Sequence, residues 1–144
     1  MPGETDLRTL IAAMKPSLGD VPYVFCSVDQ ATFDALPFTP LGTFHEREGI
    51  SIIVTQQQAG DRGLAFDASW ACITLEIHSS LSAVGFLAIV TAHLARAGIS
   101  VNPISAFYHD HLFVPWEKKE DALEALIALV CLVPSPKDKR RKVS

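Results

Sequence analysis

The stretch WACITLEIHSSLSAVGFLAIVTAHLARAGISVNPISAFYHDHLFVP, residues 70–115, decides the reading of the fold. It opens on a mostly apolar run of strand length, residues 70–77, interrupted by His78, Ser79 and Ser80. From Leu81 the spacing of Val84, Leu87, Ala88, Thr91 and Leu94 predicts a helix to about Ala97, with Gly98 as its stop. Residues 99–107 then read as a β-branched strand broken at Asn102-Pro103. Tyr108, His109 and Asp110 turn it into a second strand over 111–114. Residues 117–130 carry Ala122, Leu123, Leu126, Ile127 and Val130 at helical spacing, with acids near the start where the helix dipole favours them.

Working outward, the first half shows the same order. A short leading helix over residues 6–14, capped by Thr5, carries Leu7, Leu10, Ile11 and Met14 and stops at Pro16. Residues 23–28 (YVFCSV) are β-prone, Asp29 caps a brief helix through Leu36, and Pro37 and Pro40 break the chain. Residues 41–45 and 50–55 form a hairpin across Glu46, Arg47, Glu48 and Gly49, and a short polar helix follows over 56–62. The closest local echo sets Gly42-Thr43-Phe44-His45-Glu46 against Ser105-Ala106-Phe107-Tyr108-His109-Asp110. Strand, helix, strand, strand, helix is a ferredoxin-like unit lacking its last strand, which pairing with the other half would supply. The expected fold class is therefore α+β: two ferredoxin-like βαββα units, the first abbreviated, with antiparallel sheets and helices on one face. The division is 1–66 with the leading helix, 67–133, and a basic, disordered tail over 134–144.

Composition removes several function classes. No run approaches the roughly 20 apolar residues of a spanning helix, and the acidic start MPGETDLRTL lacks a signal peptide's basic and apolar regions, so the expected compartment is the cytoplasm. Cys26, Cys72 and Cys131 form no CxxC pair and sit among apolar neighbours, as buried reduced thiols do. Five of the 12 bases, Lys137, Lys139, Arg140, Arg141 and Lys142, lie in the tail beside one acid, Asp138. The remaining body has seven bases against fifteen acids, a net of −8, which repels a phosphate backbone. Nucleic-acid binding is left to the tail alone, which also reads as a nuclear-targeting signal or a solubilising extension.

Residues His78-Ser79-Ser80-Leu81, Val84-Gly85, Leu94-Ala95 and Gly98-Ile99-Ser100-Val101-Asn102 resemble the strand–loop–helix pattern of ACT regulatory domains. The run Ile104-Ser105-Ala106-Phe107-Tyr108-His109-Asp110 resembles small stand-alone double-ACT proteins and, more distantly, tandem ACT amino-acid sensors. The likeness covers residues 70–130 and extends to the first half by topology. It implies binding of an amino acid or similar metabolite at an interface between paired units, usually with homodimerisation, no cofactor and no catalysis. It places the ligand against Ser79, Ser80, Leu81, Val84 and Gly85, with Asn102 and Ile104 from the second strand; His45, Tyr108, His109 and Asp110 are further candidates. ACT domains also accompany catalytic domains, for which this chain has no room, so the resemblance implies regulation of a protein target in trans or a free-standing sensor. The residues themselves suit the role: a helix N-terminus offers N–H groups to a carboxylate, Gly85 permits close approach, and Asn102 both donates and accepts. They have plain structural readings too: Ser80 as a helix cap, Gly85 as a packing contact, Asn102 at a bulge.

Two other functions compete with the sensor. A metal-dependent enzyme would use His109-Asp110-His111, with His109 and His111 on one side of a strand and His45 and Glu46 from the matching turn, although no strong zinc spacing is present. A dimeric interaction scaffold with a targeting tail would need no ligand. No nucleophile elbow, P-loop or GxGxxG is present.

Overall fold

The computed structural model describes residues 6–77 and 84–133. The chain divides into an N-terminal unit, Asp20–Trp70, and a C-terminal unit in which residues 71–77 and 84–133 are joined by residues 6–19.

In the N-terminal unit, β2 (Tyr23–Val28), α2 (Gln30–Asp34), β3 (Gly42–His45), β4 (Ile50–Thr55) and α3 (Gln56–Asp61) follow the expected order, and the strands lie in the antiparallel order β3-β4-β2. Alternation sets the faces. Val24, Cys26 and Val28 of β2 and Ile50, Ile52 and Val54 of β4 are buried with Ala59 of α3, while Phe33, Leu36 and Phe38 close the cluster from the α2 side. The unit has all five elements and is abbreviated only in its helices, five and six residues long. Helices this short do not hold themselves, and both are capped by side chains. Asp29 Oδ1 accepts from the Thr32 N–H at 2.8 Å, and Thr55 and Gln58 form a reciprocal capping box at 3.0 and 3.1 Å.

In the C-terminal unit α1 (Leu7–Ala13) and β1 (Pro16–Leu18) lead, followed by β5 (Trp70–Leu75), α4 (Phe86–Arg96), β6 (Asn102–Ser105), β7 (Asp110–Pro115) and α5 (Lys119–Leu132). The strand order is β1-β5-β7-β6. β1, which the sequence does not announce, pairs antiparallel with β5 and supplies this unit's fourth strand, so the unit is closed by the chain's own leading segment. Pro16 is tolerated because it is the first residue of an edge strand. The leading helix, expected with the first unit, packs on α4 and α5. Its N-cap is Asp6; Thr5 lies outside the described residues.

The core here is larger. Leu10, Met14, Ile73, Leu75, Phe86, Val90, Leu94, Leu112, Leu126 and Leu129 form one buried cluster between the sheet and the helices, each large side chain contributing about 1.5–3 kcal/mol relative to exposure. The buried stripe of α4 is Phe86, Val90 and Leu94, not one through Val84 and Ala88, because the helix starts five residues later than the spacing from Leu81 suggests. In α5, Leu129 is buried and Ile127 exposed, reversing the expectation for the last turn. Cys26 and Cys72 are buried, and burial pushes both thiols up, Thr74 opposing this at Cys72. Cys131 is exposed, against expectation, because it sits on the outer face of α5. No helix among the described residues is long and apolar enough to cross a membrane.

The internal repeat is real but its register differs from the local echo. Gly42 pairs with Ile53 as Asn102 pairs with Phe113, and His45 with Ile50 as Ser105 with Asp110. His45 therefore corresponds to Ser105, not to His109. The aromatic match between the two segments is displaced from this register by three to four positions.

Candidate functional site

β5 leads from the sheet toward α4. Glu76 N–H donates to the Lys15 carbonyl and Ile77 N–H to that of Leu75, at 2.9 and 2.8 Å. Ser79, Ser80 and Leu81 lie outside the described residues. Val84 is 84% exposed, and Gly85 opens α4 as its N-cap at φ +88°, a left-handed conformation that glycine adopts without penalty. The Gly85 carbonyl accepts from Ile89 at 3.0 Å, but glycine has no side chain to cap the first N–H groups of the helix. The start of α4 thus carries backbone donors and the positive end of the helix dipole.

The β6–β7 register fixes the rest. Asn102 lies opposite Phe113 and Ile104 opposite His111, on the sheet face turned away from the helices; Pro103 and Ser105 share the helix side with Leu112 and Asp110. Thr74 Oγ1 and His111 Nδ1 lie 2.9 Å apart, which sets the C-terminal end of β5 beside the start of β7. The structure thus brings Asn102 and Ile104 together with His111 and Thr74. It does not bring them to Val84 and Gly85, which open a helix packed on the other face. Sequence reading missed Thr74 and His111 as partners; the alternation of both strands placed them on one face, but no spacing rule links residues 37 apart.

The turn groups have distinct roles. Asp110 is 7% exposed and accepts from Ser105 Oγ at 2.6 Å, an arrangement that fixes the hairpin base rather than facing solvent. His109 Nδ1 is buried with no hydrogen-bond partner. Burial, and secondarily the neighbouring His109, hold the His111 imidazole below its ordinary pKa, with Asp110 opposing them. Phe107 and Tyr108 form an exposed, edge-to-face pair at the turn, centroids 4.9 Å apart. His45 stands in the N-terminal unit with its ring edge on Phe33 at 5.9 Å.

Among the described residues the metal reading does not gather a ligand set. His109 precedes the strand instead of alternating with His111 on it, their ring centroids are 6.5 Å apart, and Asp110 turns to the helix side. No group of three metal-ligating side chains occurs among the described residues.

Comparison with known proteins gives the frame. Two ACT-domain family models match in tandem, over residues 2–71 and 66–128. Nothing matches among curated proteins. Among solved structures, a Vibrio cholerae protein of unknown function, described as a possible transport protein, is 41% identical, with 86% of this chain and 95% of that one covered and a TM-score of 0.78. The regulatory subunit of aspartate kinase from Thermus thermophilus shares the fold at 14% identity, 81% and 96% coverage and a TM-score of 0.62. That from Thermus flavus does so at 13%, 79% and 95%, and 0.58. With both matches in succession and the ferredoxin-like order in each unit, the chain belongs to the ACT-domain family and carries two such domains in tandem.

Proposed function

We propose that this protein is a regulatory sensor that binds an amino acid or similar small metabolite and acts in trans on a protein target, as a homodimer. The observation that carries the reading is the glycine-opened start of α4, the helix that follows the first strand of the second ACT domain, on which no side-chain cap is found among the described residues. A carboxylate is the natural guest of such a terminus. Ser79, Ser80, Leu81, Val84 and Gly85 form the loop side of this site. Asn102 and Ile104, which lie on the opposite sheet face, would serve a ligand held between two copies rather than within one. Ligand burial would bias the relative position of the copies through its differential affinity for two arrangements.

A thermal-shift screen against the twenty amino acids tests this. A ligand at about 100 times its dissociation constant stabilises by about 2.7 kcal/mol, which is several degrees for a chain of this size. The expected result is a shift for one chemical class, lost when Ser79 and Ser80 are replaced by alanine or on Asn102→Ala. No shift at millimolar concentration would overturn the amino-acid reading.

A further inference from the structure

We propose that the N-terminal unit carries a separate small-molecule site: the groove between α2 and the end of α3, shaped for a free α-amino acid with an apolar side chain. It shares only a ligand class with the reading above and lies in the other ACT domain. The groove, open to solvent on one side, has a volume of about 440 Å³, within the usual size range of small-ligand sites. It exists because of helix length: α4 and α5, of 11 and 14 residues, pack against each other, whereas α2 and α3, of five and six, leave the space between them open.

The lining divides by chemistry. Leu36 and Leu64, which pack on the core from this side, form an apolar floor, and Ala31 and Ala35, one helical turn apart, add methyl groups to one wall. Asp61 and Arg62 supply one charge of each sign on the other. Gly63, at φ +65°, turns the chain so that the Leu64 N–H reaches the Ala59 carbonyl at 2.9 Å, which anchors the end of α3. Arg62 Nη2 points to the Ala35 carbonyl at 3.4 Å, so the guanidinium reaches across the groove with other N–H groups to spare.

Among the described residues neither charge meets an opposite one, although residues 20–70 hold seven acids and only two bases, Arg47 and Arg62. An arginine in so acidic a unit that binds a carbonyl and no carboxylate is available to an incoming carboxylate. Asp61 beside it complements an ammonium, and the floor accepts the side chain. A free amino acid presents these three groups together; a simple anion would meet the unit's negative field.

The test uses the full-length chain and three probes of one skeleton in isothermal titrations: L-leucine, L-leucinamide, which lacks the carboxylate, and isocaproate, which lacks the ammonium. L-leucine is expected to bind more tightly than either by about tenfold or more. Arg62→Gln should erase its advantage over L-leucinamide, and Asp61→Asn its advantage over isocaproate. Both side chains are exposed, so the variants keep the fold, checked by an unchanged melting transition. Equal affinity for the three probes, or no binding of any, overturns the proposal. Leucine binding that survives both variants but is lost on Asn102→Ala overturns it too, while leaving the C-terminal site standing.

Discussion

The two ACT units carry the same hairpin with opposite surroundings. β4 and β7 have identical burial along their six residues, the flanking strands pair sixty positions apart in register, and each turn closes with one backbone hydrogen bond of 3.0 Å, Glu46 N–H to Gly49 and Ala106 N–H to His109. Yet one turn is Glu46-Arg47-Glu48-Gly49 and the other Ala106-Phe107-Tyr108-His109, and the helices behind them differ about twofold in length. The sheet is the repeated framework, and the helix layer and turn are where the halves part. Where the helices are long, packing holds them and, among the described residues, no side chain caps α4 or α5; where they are short, caps hold them and a groove remains.

The largest expected effect breaks the packed layer. Leu126→Ala removes a fully buried side chain from the larger core and should cost about 2–5 kcal/mol in denaturant unfolding, while Ile127→Ala, one residue on but half exposed, should cost less than about 0.5 kcal/mol. Comparable losses would mean that the buried face of α5 is wrongly assigned. Next comes Gly85→Ala. A new Cβ would meet Leu7 Cδ1 only at an ordinary 3.5 Å, so the cost is the left-handed backbone, about 1–2 kcal/mol. Asp29→Ala, which removes a cap from a five-residue helix, should cost about 1 kcal/mol. Lys118→Ala, at the uncapped start of α5, should leave the midpoint in place, and equal effects at the two positions would remove the contrast between capped and packed helices.

The smallest effect is a pH dependence. His111 has a folded pKa below its unfolded one, so the unfolded chain binds more protons and the histidine destabilises the fold as it protonates. Its contribution is present above the unfolded pKa, about 6.5, and is lost as pH falls through and below that value. His111→Asn should flatten the decline in stability between pH 7 and pH 5, measured by urea unfolding. A variant that follows the parent across that range would contradict the assignment.

Much of the fold was legible because alternation and caps are local signals. YVFCSV, Asp29, the Glu46–Gly49 turn and Gly98 each act within a few residues of where they are read, and the elements they predict are present. What failed were long-range facts. Strand β1 has three residues and no periodicity of its own; it exists because β5 offers an open edge. The start of α4 moved because Gly85 takes a left-handed conformation, which apolar spacing does not encode. The repeat was found by topology and misaligned by composition, since Phe44 and Phe107 look alike while register pairs Phe44 with Ile104's position. The candidate site was legible only through family likeness. The Thr74–His111 contact and the groove at Asp61 and Arg62 needed coordinates, because each joins residues from different elements.

The central claim, that this tandem ACT chain takes up an amino acid, is tested most directly by amide chemical-shift mapping of the isotope-labelled protein against each of the twenty amino acids at millimolar concentration. Saturable shifts for one chemical class are expected at the start of α4 and on β6, with a second set at residues 31–36 and 61–64 for amino acids with apolar side chains. Spectra that do not move with any amino acid would contradict the claim.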